Sequence, residues 1–255
     1  MTRDPDVVNG ITVPYRARFD ECGPDGLVRS STLLRYAQDL AWLHSERLGF
    51  GREWYLERQL AWVVRAAELA ILAPLPLGQT VTMHTAITGL RRVWARRRTE
   101  GRLDDGTLAL WGHTDWVMTD TVRGAPGRVP AEFPAAFDVP PGTFEPGRVP
   151  LDETPAGAER YASRVRPQDL DPMGHVNNAA YLDYLEEALL AAGPEAAALT
   201  DALPRRIRLE YVAAAMPGAE LDAATWAIAA GRAWRLADAD GRELARATVT
   251  LEDKR

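Results

Sequence analysis

The sequence predicts an α+β fold built from two copies of one unit, each a single helix followed by an antiparallel meander. Three observations predict it. An ungapped shift of 148 positions (174 − 26) lays Arg16–Tyr36 on Arg164–Tyr184 with seven identities in 21 positions: Arg16/Arg164, Arg18/Arg166, Pro24/Pro172, Gly26/Gly174, Val28/Val176, Leu34/Leu182 and Tyr36/Tyr184. Both aligned segments read as a short strand, a Gly/Pro/Asp loop and a helix with one apolar stripe. Four strand-like runs then follow each helix, the pattern of a helix segregated to one side of an antiparallel sheet.

The elements follow in order. Thr12–Phe19 and Glu159–Arg166 are the leading strands. The first helix is expected near Ser31–Leu48, where Leu33, Leu34, Ala37, Leu40, Ala41 and Leu48 recur at helical spacing. The second is expected near Asn178–Ala192, with Tyr181, Tyr184, Leu185, Ala188 and Leu189 on one face. Ser30 or Ser31, and Asn177 or Asn178, are natural N-caps because their side-chain oxygens can accept the orphan N–H groups of a first turn. Strands are expected at Ala61–Leu72, Gln79–Leu90, Val93–Arg102 and Leu108–Met118 in the first half. Those of the second half are Arg205–Ala213, Glu220–Ala229, Arg232–Ala237 and Glu243–Glu252. Asp104-Asp105-Gly106 and Asp238–Gly241 are hairpin turns at matching places.

Eight of the 18 prolines fall between Pro126 and Pro155, a stretch that should be neither helix nor central strand because proline lacks the donor both need. The chain therefore divides into an N-terminal unit at 1–137, a proline-rich joint at 138–157 and a C-terminal unit at 158–255. The joint is either a semi-rigid linker or an ordered strap anchored by Val139, Phe144, Val149 and Leu151.

Composition removes several function classes. A chain of 255 residues with 46% apolar and 26% charged residues folds as a globular core. A net charge of −6 argues against a nucleic-acid binder. Cys22 stands alone, so no internal disulfide or thiolate cluster forms, and a reducing cytoplasm fits. Lys254 is the single lysine, which leaves no phosphate-binding Gly-Lys-Ser/Thr loop. None of Ser30, Ser31, Ser45 and Ser163 lies in a Gly-x-Ser-x-Gly elbow. His44, His84, His113 and His175 form no close metal-ligand pair. No run reaches the roughly 18 apolar residues of a membrane span, and the first ten residues are not a signal peptide.

The informative segment is Arg166–Leu189, which contains Asp169-x-Asp171-x-x-Gly174-His175-Val176-Asn177-Asn178 and then a tyrosine-bearing helix. This motif resembles the hot-dog thioesterases of the 4-hydroxybenzoyl-CoA thioesterase superfamily. Two such units in one chain resemble the acyl-acyl-carrier-protein (acyl-ACP) thioesterases. In the first half Leu48–Gly51, Leu60–Val64 and Gly78–Val81 add to the likeness, which covers about Val13 to Leu251. The resemblance implies a tandem (double) hot-dog fold, each unit an antiparallel sheet wrapped around a long helix. It implies hydrolysis of fatty acyl-ACP thioesters in the cytoplasm, as part of fatty acid biosynthesis, without cofactor. Two other functions stay open: an acyl-CoA thioesterase of general metabolism, and a non-catalytic acyl-thioester-binding module.

The residues suit that chemistry. Asp171 ends an irregular segment and is expected to activate water or to attack the carbonyl itself. His175 would orient water, polarise the carbonyl or protonate the leaving thiolate, and Asn177 is placed with them. Gly174, Val176 and Asn178 are assigned to substrate binding, the N–H groups of Gly174, His175 and Val176 near a helix N-terminus serving the developing oxyanion. Asp171 before Pro172 also suits a plain turn, and Asn177 and Asn178 suit caps. Asp169 is expected to pair with an arginine, Glu187 lies on a solvated helix face or in the site, and Tyr181 and Tyr184 read as core. In the first half Asp171, His175, Asn177 and Asn178 become Gly23, Leu27, Arg29 and Ser30, so one active centre is expected. Cys22 aligns with Leu170 and is not assigned as a nucleophile.

The chain departs from the plant-type pattern: Met173 holds that pattern's Asn position, and Ala214 and Ala215 replace its Glu and Cys. Arg91, Arg92, Arg96, Arg97, Arg98 and Arg102 form a basic cluster. It is read either as a docking face for an acidic carrier protein or CoA phosphates, with Arg91, Arg92, Arg96 and Arg98 as its members, or as a sheet face with internal salt bridges. Arg205, Arg206 and Arg208 form a second candidate patch. A monomer or homodimer is expected, since the repeat supplies the pairing that single hot-dog chains gain by dimerising.

Overall fold

The computed structural model describes residues 10–139 and 144–252. The chain forms two units, one of Met1–Arg29, Leu33–Ala67 and Pro74–Gly147, the other of Ser30–Thr32, Glu68–Ala73 and Arg148–Arg255. The division falls at Gly147/Arg148, inside the proline-rich stretch.

In the first unit β1 (Ile11–Arg16) precedes helix α1 (Ser30–Arg47), then come α2 (Arg52–Glu57) and strands β2 (Leu60–Ile71), β3 (Thr80–Arg91), β4 (Trp94–Arg102) and β5 (Leu108–Asp120). The sheet order is β1-β3-β4-β5-β2. Registers are antiparallel, with Val13 opposite Met83, Thr85 opposite Thr99 and Thr99 opposite Gly112. Strand β3 alternates strictly, burying Val81, Met83, Thr85 and Ile87 and turning Thr82 and His84 outward. One face packs and the other is wet, as the period-2 pattern of the sequence requires.

The second unit repeats this order. Strand β7 (Glu159–Arg164) precedes helix α4 (Ala180–Ala191), α5 (Pro194–Asp201), β8 (Arg205–Tyr211), β9 (Glu220–Ile228), β10 (Gly231–Asp238) and β11 (Glu243–Leu251). Its sheet runs β7-β9-β10-β11-β8, the first unit's sequence of strands element for element. Helix α4 packs on β7 and β9 and buries Tyr181, Leu182, Tyr184, Leu185, Ala188 and Leu189. The two units are structural copies.

Three short helices depart from the sequence reading. The six-residue α2 and eight-residue α5 are too short for a 3.6-residue pattern to stand out, and they form by burying Tyr55 and Ala196. The four-residue α3 (Phe133–Ala136) lies within the proline-rich stretch that was expected to hold no helix. Pro134 sits in its first turn, where the missing N–H is an orphan in any case. Two-residue β6 (Ala125–Pro126) pairs with β5. Phe133 and Phe137 are buried in an aromatic cluster with Phe50, at ring separations of 4.4 and 5.5 Å, and Trp54 and Trp62 lie 5.6 and 5.9 Å from Phe133.

Beyond residues 140–143, which lie outside the described set, the chain is pinned in each unit. In the first, Phe144 lies on the Arg96 guanidinium at 4.6 Å and the Gly147 N–H donates to Asp115 at 2.6 Å. In the second, the Val149 N–H donates to Glu210 at 2.9 Å and Arg235 donates to the Thr154 hydroxyl at 2.6 Å. Buried carboxylates on β5 and β8 thus hold this segment by its backbone as an ordered strap.

Candidate active site

The loop between β7 and α4 is built by local bonds. A 3-10 turn (Pro167–Asp169) brings the Asp169 carboxylate back to the Arg166 N–H at 2.9 Å and to its guanidinium at 3.0 and 3.2 Å. The Tyr184 hydroxyl donates to the same carboxylate at 2.6 Å. Burial raises the Asp169 carboxyl, but the donors from Arg166 and Tyr184 outweigh it and hold the group below the usual carboxylate range. The arginine pairing expected for Asp169 is thus Arg166, which also meets Glu187 at 2.9 Å.

Asp171 then opens a tight reversal. The Asp171 N–H donates to the His175 carbonyl at 2.9 Å, and the Gly174 N–H donates to the Asp171 carbonyl at 2.9 Å. Asp171 Oδ1 accepts the Met173 N–H at 2.8 Å. Gly174 has φ +75°, the left-handed region a bulged three-residue loop needs. Leu170 and Val176 face each other across the reversal, and the Asn177 N–H donates to the Asp169 carbonyl at 2.8 Å. Asp171, Asn177 and Asn178 are half-buried, Val176 is buried, and Met173, Gly174 and His175 are exposed.

Two expectations are corrected. The N–H groups of Gly174, His175 and Val176 were expected as three open donors at a helix end, but that of Gly174 closes its own turn and α4 begins only at Ala180. Those of His175 and Val176 make no hydrogen bond among the described residues. The caps also differ: Arg29 and Ala179 occupy the N-cap positions, without side-chain cap bonds. Asn177 acts two residues earlier, its Oδ1 accepting the Ala179 N–H at 2.9 Å and its carbonyl the Ala180 N–H at 2.9 Å. Asn178 is held through its carbonyl, which accepts the Tyr211 hydroxyl at 2.8 Å.

The first unit carries the same loop without its chemical groups. Arg18 donates to Glu21 at 2.7 Å and the Tyr36 hydroxyl donates to Glu21 at 2.5 Å, matching Arg166, Asp169 and Tyr184. The Gly23 N–H reaches the Leu27 carbonyl, the Gly26 N–H reaches the Gly23 carbonyl, and Gly26 also has φ +75°. One difference matters. The Val28 N–H donates to the Leu75 carbonyl at 3.0 Å, whereas no such bond takes up the N–H of its counterpart Val176. The second unit therefore keeps a half-buried carboxylate, an imidazole and open backbone donors on one rigid turn. Cys22 is buried, with its thiol pushed up by burial, as suits a residue with no nucleophilic part.

Sequence reasoning gave Tyr211 no role. It read Tyr181 as core, and Tyr181 is buried with its oxygen accepting the Ala215 N–H at 3.0 Å. Burial raises the Tyr181 phenol; the Ala215 N–H opposes this and the nearby Asp171 charge adds to it.

The basic cluster is largely spoken for. Arg91 meets Glu145 at 2.8 Å, Arg96 forks onto Asp115 at 2.7 Å, and Arg98 and Arg102 share Glu100 at 2.7 and 3.6 Å. Arg97 is buried, 2.8 Å from His44 Nδ1, and burial lowers it to about 10. Arg92 is exposed, with no acidic partner among the described residues. In the second patch Arg205 is buried and donates to Ser30 at 3.0 Å, Arg206 pairs with Glu68 and Glu252, and Arg208 reaches the Arg148 carbonyl. No helix among the described residues is long and apolar enough to cross a membrane.

Two copies of a helix-and-meander unit, one with an intact Asp/His loop and one without, define a tandem hot-dog protein of the thioesterase class. The N-terminal domain model of the acyl-ACP thioesterases matches residues 11–137 and the C-terminal domain model matches 153–248. The chain belongs to the acyl-ACP thioesterase family. A chloroplastic palmitoyl-acyl carrier protein thioesterase of Cuphea hookeriana is 28% identical over 193 residues, covering 68% of this chain and 45% of the relative. The chain thus spans about half the length of that curated relative. Solved structures with the same fold include a 12:0-ACP thioesterase from Umbellularia californica, with TM-score 0.76 and 21% identity over 95% of this chain and 96% of the other. An acyl-ACP thioesterase from Bacteroides thetaiotaomicron gives TM-score 0.80 at 18% identity over 96% and 98%.

Proposed function

We propose that this protein hydrolyses fatty acyl-ACP thioesters in the cytoplasm and releases free fatty acid. The observation that carries the reading is the Asp171–Asn178 loop, retained in one repeat and stripped of its reactive groups in the other. Asp171 takes the proton of a water attacking the thioester carbonyl, or attacks the carbonyl itself to form an anhydride that water opens. Negative charge on the carbonyl oxygen is met by the N–H groups of His175 and Val176; one such donor supplies roughly 3–4 kcal/mol of barrier lowering. The carbon–sulfur bond breaks, the thiolate takes a proton from His175, and acid plus thiol leave. Asn177 and Asn178 hold the turn, and Gly174 lets the acyl carbonyl approach the backbone without a Cβ.

Purified protein given a series of acyl-ACP and acyl-CoA chain lengths tests this. Turnover of acyl-ACP that is lost in Asp171→Ala is expected; no hydrolysis of either donor, or full activity in that variant, refutes it. After single turnover in ¹⁸O-water, label in the Asp171 carboxylate establishes the anhydride route, with water opening the anhydride at the Asp171 carbon. A second reading, acyl-CoA hydrolysis, is favoured by Met173, Ala214 and Ala215 standing where the plant-type pattern has polar residues. Preference for the CoA donor in the same series would establish it. Tight acyl-thioester binding without turnover would instead mark a binding module.

We propose Arg91, Arg92, Arg96 and Arg98 as the carrier-docking residues. Arg92 is the member without an acidic partner among the described residues, so Arg92→Glu is the sharpest test. It should raise KM for acyl-ACP and leave KM for acyl-CoA unchanged. Sedimentation distinguishes monomer from homodimer.

A further inference from the structure

The loop between β2 and β3 and the loop between β8 and β9 run the same course. Leu75, Pro76, Leu77 and Gly78 correspond to Ala215, Met216, Pro217 and Gly218. The Gln79 N–H returns to the Pro76 carbonyl at 3.0 Å, as the Ala219 N–H does to the Met216 carbonyl at 3.1 Å. The Gln79 carbonyl takes the Ala17 N–H at 2.8 Å, as the Ala219 carbonyl takes the Val165 N–H at 2.9 Å. Gly78 and Gly218 have φ +83° and +72°. Leu75 and Ala215 are buried, and the two residues after each are exposed.

The two loops differ in where they are tied. In the first unit Leu27 and Pro76 form an antiparallel bridge. The Val28 N–H donates to the Leu75 carbonyl at 3.0 Å, and the Leu77 N–H donates to the Gly26 carbonyl at 2.9 Å. In the second unit the counterparts, the Val176 N–H and the Gly174 carbonyl, make no hydrogen bond among the described residues. Two replacements account for this. Pro217 stands at the place of Leu77 and has no N–H to give. Tyr181 stands at the place of Leu33, and its oxygen takes the Ala215 N–H at 3.0 Å, so this loop is tied to α4 and not to the turn. Val176 is nevertheless buried, where an N–H without a partner is costly.

The segment that fills this seat in the first unit has a definite chemistry. The Leu75 carbonyl is followed by the nitrogen, Cα and carbonyl carbon of Pro76 and then by the Leu77 N–H, and the proline nitrogen carries no hydrogen. A thioester of pantetheine has the same order. Its carbonyl is followed by the sulfur and two methylene carbons and then by an amide N–H, and the sulfur carries no hydrogen. We propose that the pantetheine arm shared by acyl-ACP and acyl-CoA binds the second unit as the missing strand of this bridge. The thioester carbonyl accepts from the Val176 N–H, and the cysteamine amide N–H donates to the Gly174 carbonyl, the main-chain pairing of an added strand. This rests on the thioesterase reading above and extends it from an oxyanion donor to a pair of groups that hold the arm on both sides of the sulfur. Asp171 lies on the same turn, its carbonyl accepting the Gly174 N–H at 2.9 Å. The first unit seats its own Leu75–Leu77 segment there, in keeping with its loss of Asp171 and His175.

The test compares two substrates on the unaltered chain. One is the acyl-CoA, or the acyl-ACP loaded from it, that the protein turns over faster. The other is the same molecule with an ester oxygen in place of the cysteamine N–H, which keeps the length of the arm and removes one donor. With rates normalised to hydroxide hydrolysis of each thioester, kcat/KM should fall roughly tenfold, the upper range for one neutral hydrogen bond. The position of the bond is read by NMR on ¹³C,¹⁵N-labelled protein with ketone analogues in which a methylene replaces the sulfur. The amide-bearing ketone should shift both the Val176 N–H and the Gly174 carbonyl resonances downfield, and the ester-bearing ketone should shift that of Val176 alone. Equal kcat/KM for the two arms, or a preference for the amide without the Gly174 carbonyl shift, overturns the inference, while hydrolysis by the protein upholds the thioesterase reading. No hydrolysis of either carrier's thioester sinks both.

Discussion

Tyr184→Phe and Tyr36→Phe are matched perturbations of the two loops. Each removes one phenol that donates to a carboxylate at the loop base, Asp169 at 2.6 Å or Glu21 at 2.5 Å, and leaves the ring in place. Both rings are buried, so no cavity opens and only the hydrogen bond is lost. A bond to a charged acceptor contributes about 1.5–3 kcal/mol. The lower end applies here, since Arg166 still gives Asp169 a backbone and two guanidinium donors and Arg18 still gives Glu21 a backbone and a guanidinium donor. A loss of about 1.5–2 kcal/mol corresponds to roughly 3–8 °C in Tm for a chain of this size. Calorimetry should show similar falls for the two variants. Hydrolysis should not follow suit. Asp169 also fixes Asn177 through its carbonyl, so loosening it misplaces Asp171 and His175, whereas the first loop carries no reacting group. Tyr184→Phe should lower kcat about tenfold or more, given the geometric demands of a positioned general base. Tyr36→Phe should retain kcat within about twofold at a temperature where both are folded. Equal losses of activity in the two variants, or a destabilised Tyr184→Phe with full kcat, would refute the division of labour between the loops.

Other outcomes follow from the same geometry. Gly174→Ala meets open space but must hold φ +75°, so it should cost about 1–2 kcal/mol, read by chemical unfolding, through backbone strain alone. Asp169 and Glu21 are both held below the usual carboxylate range. Their folded values lie under the unfolded ones of about 4, so their contribution is complete above pH 4–5 and disappears as pH falls through the folded values. A Tm series should therefore drop below about pH 4, and less steeply in Asp169→Asn, which removes one of these groups. Cys22 should resist iodoacetamide at neutral pH in the folded protein, and Cys22→Ala should keep full hydrolysis.

Most of the architecture was legible in the residues. Period-2 burial on β3 and the α1 and α4 stripes give the element types, because burial of one face is a local demand on spacing. The repeat at Arg16–Tyr36 and Arg164–Tyr184 correctly implied two copies, and both sheets share one strand order. The short helices α2, α3 and α5 were not legible, since four to eight residues carry too little pattern and form by docking Tyr55, Phe133 and Ala196. The arginine run from Arg91 to Arg102 was legible as a docking face or a salt-bridged sheet face, but its partners were not, because Asp115 and Glu145 lie 19 or more positions away.

By itself the sequence determined the α+β class, the duplication and which loop keeps Asp171 and His175, for each depends on residue type at fixed spacing. Tertiary structure alone decided which backbone donors of that loop stay open, that Asn177 is spent on the turn, and that the buried Tyr181 oxygen takes the Ala215 N–H. Those are matters of which groups satisfy one another across distant strands. Hydrogen-bond partners separated by 34 positions, as Tyr181 and Ala215 are, leave no local signature in the chain.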